Sequence, residues 1–349
     1  RRSATSRAPP PSGMFARRAR GLLLLALATT ASALRLHRVS SRGASLLARR
    51  ETLALGLASG LAVSVQPASA DAPTTATAPP TRSIRESIEA LRAAPPSDSG
   101  KPLPSRSLVT RRYFTRETAD VEYPSWFQGS WKCTSTLEQV LAPGGASLFT
   151  PGRNGTEALR RARLEAGQPL VYSTRWRQSP TREASWVVDR AYNTQAISAA
   201  SMGPKAVQNC ESIGADQVEL ILRPDAGGRT IYRASLDVLA RHTDPIVRDD
   251  HFDCVETVRQ TVLLVPGENY NGPRRPPMVK EVETLCTYDR LPDGSITGVQ
   301  RTATFLVPDA AYTSGASLAE QQAIQLLRGP DGMQTAIDVR LYSLLYERA

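Results

Sequence analysis

Histidine is nearly missing from this chain: there are three in 349 residues, and only His242 and His251 lie beyond residue 70. A metal site at His251 would thus have only one other histidine, His242, to draw on beyond residue 70. The four cysteines, Cys133, Cys210, Cys254 and Cys286, form no C-x-x-C pair, which argues against a thioredoxin-like redox site or a zinc ribbon. There is also no G-x-G-x-x-G, P-loop or G-x-S-x-G, so nucleotide chemistry and a hydrolase serine lack support. The apolar runs, 21–28 and 53–65, fall short of the roughly 20 residues that a membrane-spanning helix needs. No catalytic residue, metal or cofactor is therefore expected, and no membrane span in the mature chain.

Charge of one sign is missing locally. Residues 1–70 hold eleven Arg, no Lys and one acid, Glu51, so they carry the whole net charge of +10. This leaves 32 of the 43 basic and 32 of the 33 acidic side chains for residues 71–349. A neutral mature chain gives no reason to expect nucleic acid as a partner.

The basic leader reads as three addresses in series. Arg17, Arg18 and Arg20 precede the first apolar run, which leads to Ala31-Ser32-Ala33. That is the grammar of a secretory signal peptide over 1–33, with Met14 the expected start. Residues 34–48 are Arg- and Ser-rich without acid, as in a plastid transit segment. Arg49-Arg50, the second apolar run and Ala68-Ser69-Ala70 make 49–70 resemble a twin-arginine lumenal targeting segment. The series resembles the import route of a protein of a complex, secondary plastid: endoplasmic reticulum, stroma, then thylakoid lumen. The expected location is that lumen.

Residues 71–120 read as a linker rich in Ala, Pro and Thr. Within it, Ser83 and Glu86 suggest a capping box, and Ile84, Ile88 and Leu91 recur at helical spacing, so 83–94 is expected to be a short amphipathic helix folded back on the domain. From 121 the pattern changes to alternating runs separated by turn residues. After Trp131, Cys133, Ser135 and Leu137 alternate with Lys132, Thr134 and Thr136. Tyr172, Thr174 and Trp176 share a face, as do Ala184, Trp186 and Val188. Runs at 217–223 and 229–239 flank a Gly-containing turn, and those at 279–289 and 295–305 flank Pro292-Asp293-Gly294. A further strand is expected from Cys254, a minor helix over 317–327, and a last strand over 335–346. About nine strands over 121–349 make one all-β, mainly antiparallel domain, and closed edges favour a closed or nearly closed barrel.

Gly129-Ser130-Trp131 heads the first strand and resembles the G-x-W of lipocalin-type calycin barrels. That resemblance implies that Trp131 plugs the barrel floor under a basic residue from the last strand, here Arg340. The longer string 126–137, together with Thr150-Pro151-Gly152 and Val188-Asp189-Arg190-Ala191-Tyr192-Asn193, resembles an uncharacterised cyanobacterial and plastid family, a domain of unknown function. Its plant and algal members are thylakoid-lumenal, which implies location and fold more than activity.

All four tryptophans lie between 126 and 186. Trp126, Trp131, Trp176 and Arg340 are the candidate ligand contacts of a barrel mouth. The even cysteine count permits two disulfides in three connectivities, and four buried thiols are the alternative. Residues 249–254 form the most metal-like cluster, yet they read better as a loop entering a strand. Glu281, Glu283 and Asp289 share a strand face and are expected to be solvated. Asn154-Gly155-Thr156 is a sequon by pattern, and Arg274-Arg275 a candidate docking point. The expected function is non-enzymatic binding of a small hydrophobic ligand, a pigment, quinone or lipid. The alternatives are an accessory or assembly factor of a photosystem or other thylakoid complex and, third, a lumenal enzyme.

Overall fold

A computed structural model of the chain describes residues 82–93, 120–150, 154–183, 185–223, 231–246, 248–265, 277–307, 318–327 and 334–349. The targeting segments expected over 1–33, 34–48 and 49–70 lie outside these residues, as do most of the linker 71–120, the 224–228 turn and Arg274-Arg275.

Alternation builds the sheet. Strand β1 (Gly129–Leu141) buries Trp131, Cys133, Ser135 and Leu137, and its antiparallel neighbour β2 (Pro169–Gln178) buries Leu170, Tyr172, Thr174 and Trp176. Eight more strands follow: β3 (Trp186–Val188), β4 (Val207–Ser212), β5 (Gln217–Leu222), β6 (Ile231–Thr243), β7 (His251–Val265), β8 (Met278–Arg290), β9 (Ile296–Leu306) and β10 (Asp338–Arg348). They make one sheet in the order β3-β2-β1-β10-β9-β8-β7-β6-β5-β4. Each pairing is antiparallel, and the sheet curls into a half-barrel, the nearly closed all-β architecture expected.

Hydrogen bonds do not close the ring, because β3 and β4 are edges. Helix α3 (Arg190–Met202) bridges them instead, packing on β2 at one end of the sheet and on β4 and β5 at the other. Its Asn193 extends the β2 ladder where the three-residue β3 stops. The Asn193 amide oxygen accepts from Arg175 N at 2.7 Å and its nitrogen donates to Arg175 O at 3.3 Å. The side-chain amide thus satisfies the Arg175 N–H that an edge would otherwise leave open, while Arg175 O also accepts from Asp189 N at 3.0 Å.

The other helices cover the sheet. Helix α1 (Ile84–Ala93) lays Ile84, Ile88 and Leu91 on the convex face against Val255, Leu285, Ala303 and Leu341. Ser83 and Glu86 close a reciprocal capping box: Ser83 N donates to Glu86 at 2.9 Å and Glu86 N to Ser83 Oγ at 3.1 Å. Asp244 accepts from Ile84 N at 2.8 Å, so the loop after β6 also caps the helix. Helix α2 (Gly155–Leu164) packs Ala158 and Leu159 into the concave core beside Leu137, Phe149 and Leu170, and α4 (Leu318–Leu326) joins Leu148, Leu306 and Ile337.

Among the described residues there are ten strands, not about nine, and two helices that the periodicity missed. Strand β4 escaped because Gln208, Asn209, Glu211 and Ser212 stay exposed on an edge, leaving no apolar alternation. Helix α2 has a local signal, since Asn154 accepts from Glu157 N at 3.1 Å as an N-cap. The sequon asparagine is thereby engaged in capping. Glu281 and Glu283 are not solvated: each is under a tenth exposed, paired with Arg259 at 2.6 Å and Arg301 at 2.5 Å respectively. Asp289 is more open and holds Arg85 of α1 at 2.9 Å. These pairs make the face tolerable, because a carboxylate leaves water only with a partner.

Candidate functional site

The concave face of the half-barrel holds a half-open cavity of about 170 Å³ between the sheet and α3. Thr174 and Trp176 come from β2, Leu236 and Val238 from β6, Val282 and Thr284 from β8; α3 supplies Arg190 and Ile197. The walls are mostly apolar.

One end is aromatic. Tyr123 meets Trp176 at a centroid distance of 5.7 Å and Phe252 at 5.0 Å, while Tyr346 meets Trp176 at 5.7 Å and Tyr288 at 6.1 Å. Burial pushes the phenols of Tyr123, Tyr172, Tyr288 and Tyr346 well above their ordinary value, so they stand neutral. Gly298 faces Tyr288: a Cβ there would lie 2.8 Å from its ring. The missing side chain is what lets the tyrosine lie across β9.

An ionic group stands beside Tyr123. Arg190 contacts Glu256 at 2.7 Å and Asp120 at 2.5 Å. Burial favours loss of the Arg190 proton, and the two carboxylates more than reverse this, so its pKa stands above the usual value. Arg241 approaches Asp120 at 3.5 Å and Glu256 at 3.7 Å and also bonds Asp216. Its position depends on a β-bulge between Val238 and Ala240. Leu236 and Val238 line the cavity, and strict alternation would aim Arg241 away; the extra residue shifts the phase and brings it opposite Glu256.

Several lining groups are chemically open. Thr174 Oγ1, Trp176 Nε1 and Gln300 Nε2 are buried without a hydrogen-bond partner among the described residues. Buried polar atoms are normally satisfied, so unpartnered atoms on three lining residues are unusual.

Of the residues singled out in the sequence, Trp176 lines the cavity. Trp131 is fully buried, with its indole N–H donating to Phe127 O at 2.8 Å. Trp126 stacks on Phe127 and donates to Asp249 O at 2.9 Å. Arg340 pairs with Asp338 at 2.9 Å and lies 5.6 Å from the Phe149 ring; the cation over Trp131 is Arg348, at 3.9 Å. All four cysteines are free thiols, and Cys254 and Cys286 line the cavity. Arg190 stood in the sequence only as part of the family-like string 188–193, and Glu256 and Gln300 carried no signal, being single polar residues in otherwise ordinary segments.

The metal-like run resolves into a turn followed by β7. His251 lies 2.8 Å from Asp253 and 3.0 Å from Asp289, with Arg85 bonded to the same aspartate. These groups are on the α1 side of the sheet, away from the cavity. Among the described residues no group of three or more His, Cys, Asp and Glu is placed to hold a metal ion. No described helix is long and apolar enough to cross a membrane.

Fold and site together define a curled antiparallel half-barrel with a small, largely apolar, half-open cavity that carries a buried ionic group. The profile of the Domain of unknown function (DUF6816) matches residues 117–328, and the chain belongs to that family. Searches of curated proteins and of solved structures return no match.

Proposed function

We propose that this protein is a non-enzymatic binder of a single-ring, oxygen-bearing apolar molecule, and that it works in the thylakoid lumen of a complex plastid. The observation that carries the binding reading is the cavity of about 170 Å³ with its orphaned Thr174, Trp176 and Gln300. A dry cavity of roughly 150 Å³ accommodates benzene, so this one suits a single ring. Among the expected ligand classes, a quinone ring matches this space, whereas a tetrapyrrole pigment or a diacyl lipid would have to extend through its open side. Carbonyl oxygens would accept from the unpartnered donors, and the aromatic end would pack the ring face. The lumenal location rests on the leader and on the family resemblance of residues 126–137.

Titration with tetramethyl-1,4-benzoquinone, p-xylene and a soluble tetrapyrrole, followed by tryptophan fluorescence and thermal shift, tests the reading. Saturable binding of the ring compounds, lost in Val282→Trp, is expected. Binding of the tetrapyrrole alone, or of none of the three, would overturn it.

A second reading, an accessory or assembly factor of a photosynthetic complex, draws on the convex side of β2, β1 and β10. There Val171 and Leu345 are exposed on either side of Thr134 in one cross-strand row. Co-migration with thylakoid complexes in native gels, lost in Val171→Lys/Leu345→Lys, would favour it.

A further inference from the structure

The four thiols differ in position. Cys133 on β1 and Cys210 on β4 each stand three strands along the sheet from the nearest other cysteine. Cys254 on β7 and Cys286 on β8 are directly opposite each other in the ladder. Opposed residues of an antiparallel pair have Cα atoms about 4.5 or 5.5 Å apart, inside the roughly 4.4–6.8 Å that a disulfide spans. Both side chains line the cavity. Their other neighbours hold them loosely: Tyr123 Oη is 3.8 Å from Cys254 Sγ, and Cys286 Sγ donates to Gln300 Oε1 at 3.8 Å.

We propose that Cys254 and Cys286 are an oxidation site, a cross-strand dithiol that a small hydroperoxide entering the cavity converts to a disulfide. In the first step one thiolate sulfur attacks a peroxide oxygen; the O–O bond breaks, an S–O bond forms, and the peroxide departs as an alcohol, or as water from hydrogen peroxide. The product is a sulfenic acid. The facing thiol then attacks that sulfur, the S–S bond forms, the S–O bond breaks, and the oxygen leaves as water with the released proton. Two protein thiols lose two electrons, and hydrogen peroxide is reduced to two waters.

The cavity sets the class of oxidant. A space of about 170 Å³ admits hydrogen peroxide or a short alkyl hydroperoxide but not a peptide disulfide. The hydrogen bond between the thiols, then burial, push Cys254 above its ordinary value, so thiolate is scarce at neutral pH and the first step accelerates as pH rises. The new bond would also remove the thiol donor to Gln300 from the cavity wall. None of this depends on the ring-binding reading, because oxidation is scored with no ligand added.

The experiment exposes the full chain to hydrogen peroxide at pH 7 and pH 9, then blocks remaining thiols under denaturing conditions and maps peptides by mass. The expected product is a Cys254–Cys286 cross-link, formed faster at pH 9, with Cys133 still alkylated. In Cys286→Ala, Cys254 is expected to gain oxygen as sulfinic or sulfonic acid, while Cys210→Ala keeps the cross-link. Oxidation of Cys210 with Cys254 and Cys286 both left alkylatable would overturn the proposal, as would a cross-link to any other cysteine. The wild-type peptide map decides this even if Cys286→Ala fails to fold.

Discussion

The Arg348 guanidinium lies 3.9 Å above the ring of Trp131, across the paired strands β10 and β1. It also bonds Gln128 O, just before Gly129, whose φ of 90° belongs to the left-handed region. A Cβ at Gly129 would sit 3.4 Å from the Arg348 guanidinium, so glycine serves both the turn and the stacked cation. The sequence expectation of a basic cap on Trp131 from the last strand is thus met by a different arginine.

That assignment separates two variants. Arg348→Ala removes a cation–π contact at an exposed position and is expected to cost about 0.5–2 kcal/mol. Arg340→Ala strands the buried Asp338 carboxylate and is expected to cost about 3–5 kcal/mol. Urea unfolding of both variants checks the order, and a larger loss in Arg348→Ala would contradict it.

Helix α1 is held to the convex face by apolar contact more than by charge. Ile88→Ala is expected to destabilise by about 2–5 kcal/mol, and Asp244→Ala, which removes the tertiary cap on Ile84 N, by about 0.5–2 kcal/mol. Hydrogen exchange should show residues 84–93 losing protection in both. Unchanged protection would mean that α1 docks by other contacts.

The buried Arg301–Glu283 pair tests how the sheet tolerates interior charge. Arg301→Met alone is expected to cost about 3–5 kcal/mol, because the fully buried Glu283 carboxylate loses its 2.5 Å guanidinium contact. Replacing both with leucine should recover most of that loss. Equal losses in the single and double variants would show that the pair contributes more than its own desolvation.

Alkaline pH should loosen the concave core. Burial raises Cys133 from 9.0 to about 12, and the four tyrosines of the cavity end also rise. The unfolded chain therefore releases these protons first. Their contribution is complete below about pH 9 and falls as pH climbs toward 12, by about 1.4 kcal/mol per pH unit for each group titrating. Denaturation midpoints between pH 7 and 11 check this; a flat profile to pH 11 would contradict it.

Much of the β architecture was legible in the residues. The alternation Trp131, Cys133, Ser135, Leu137 and the turn at 292–294 report directly on a sheet with one face buried, since period two is a local property of extended backbone. The site was less legible. Trp176 could be picked out as an aromatic on a buried face, whereas Arg190, Glu256 and Gln300 converge from α3, β7 and β9, and no spacing in one segment encodes that convergence.

The sequence by itself determined the all-β class, the concentration of the net charge in residues 1–70, the charge balance of residues 71–349 and the absence of nucleotide-binding motifs, because composition and short periodicities suffice for these. Tertiary structure alone decided which arginine covers Trp131, which two of the four cysteines face each other, and that a helix rather than a strand spans the gap in the barrel. Strand register and the one-residue bulge at Val238/Ala240 set those outcomes. Register follows from packing across the whole sheet, where a shift of one residue reverses the face of every side chain beyond it.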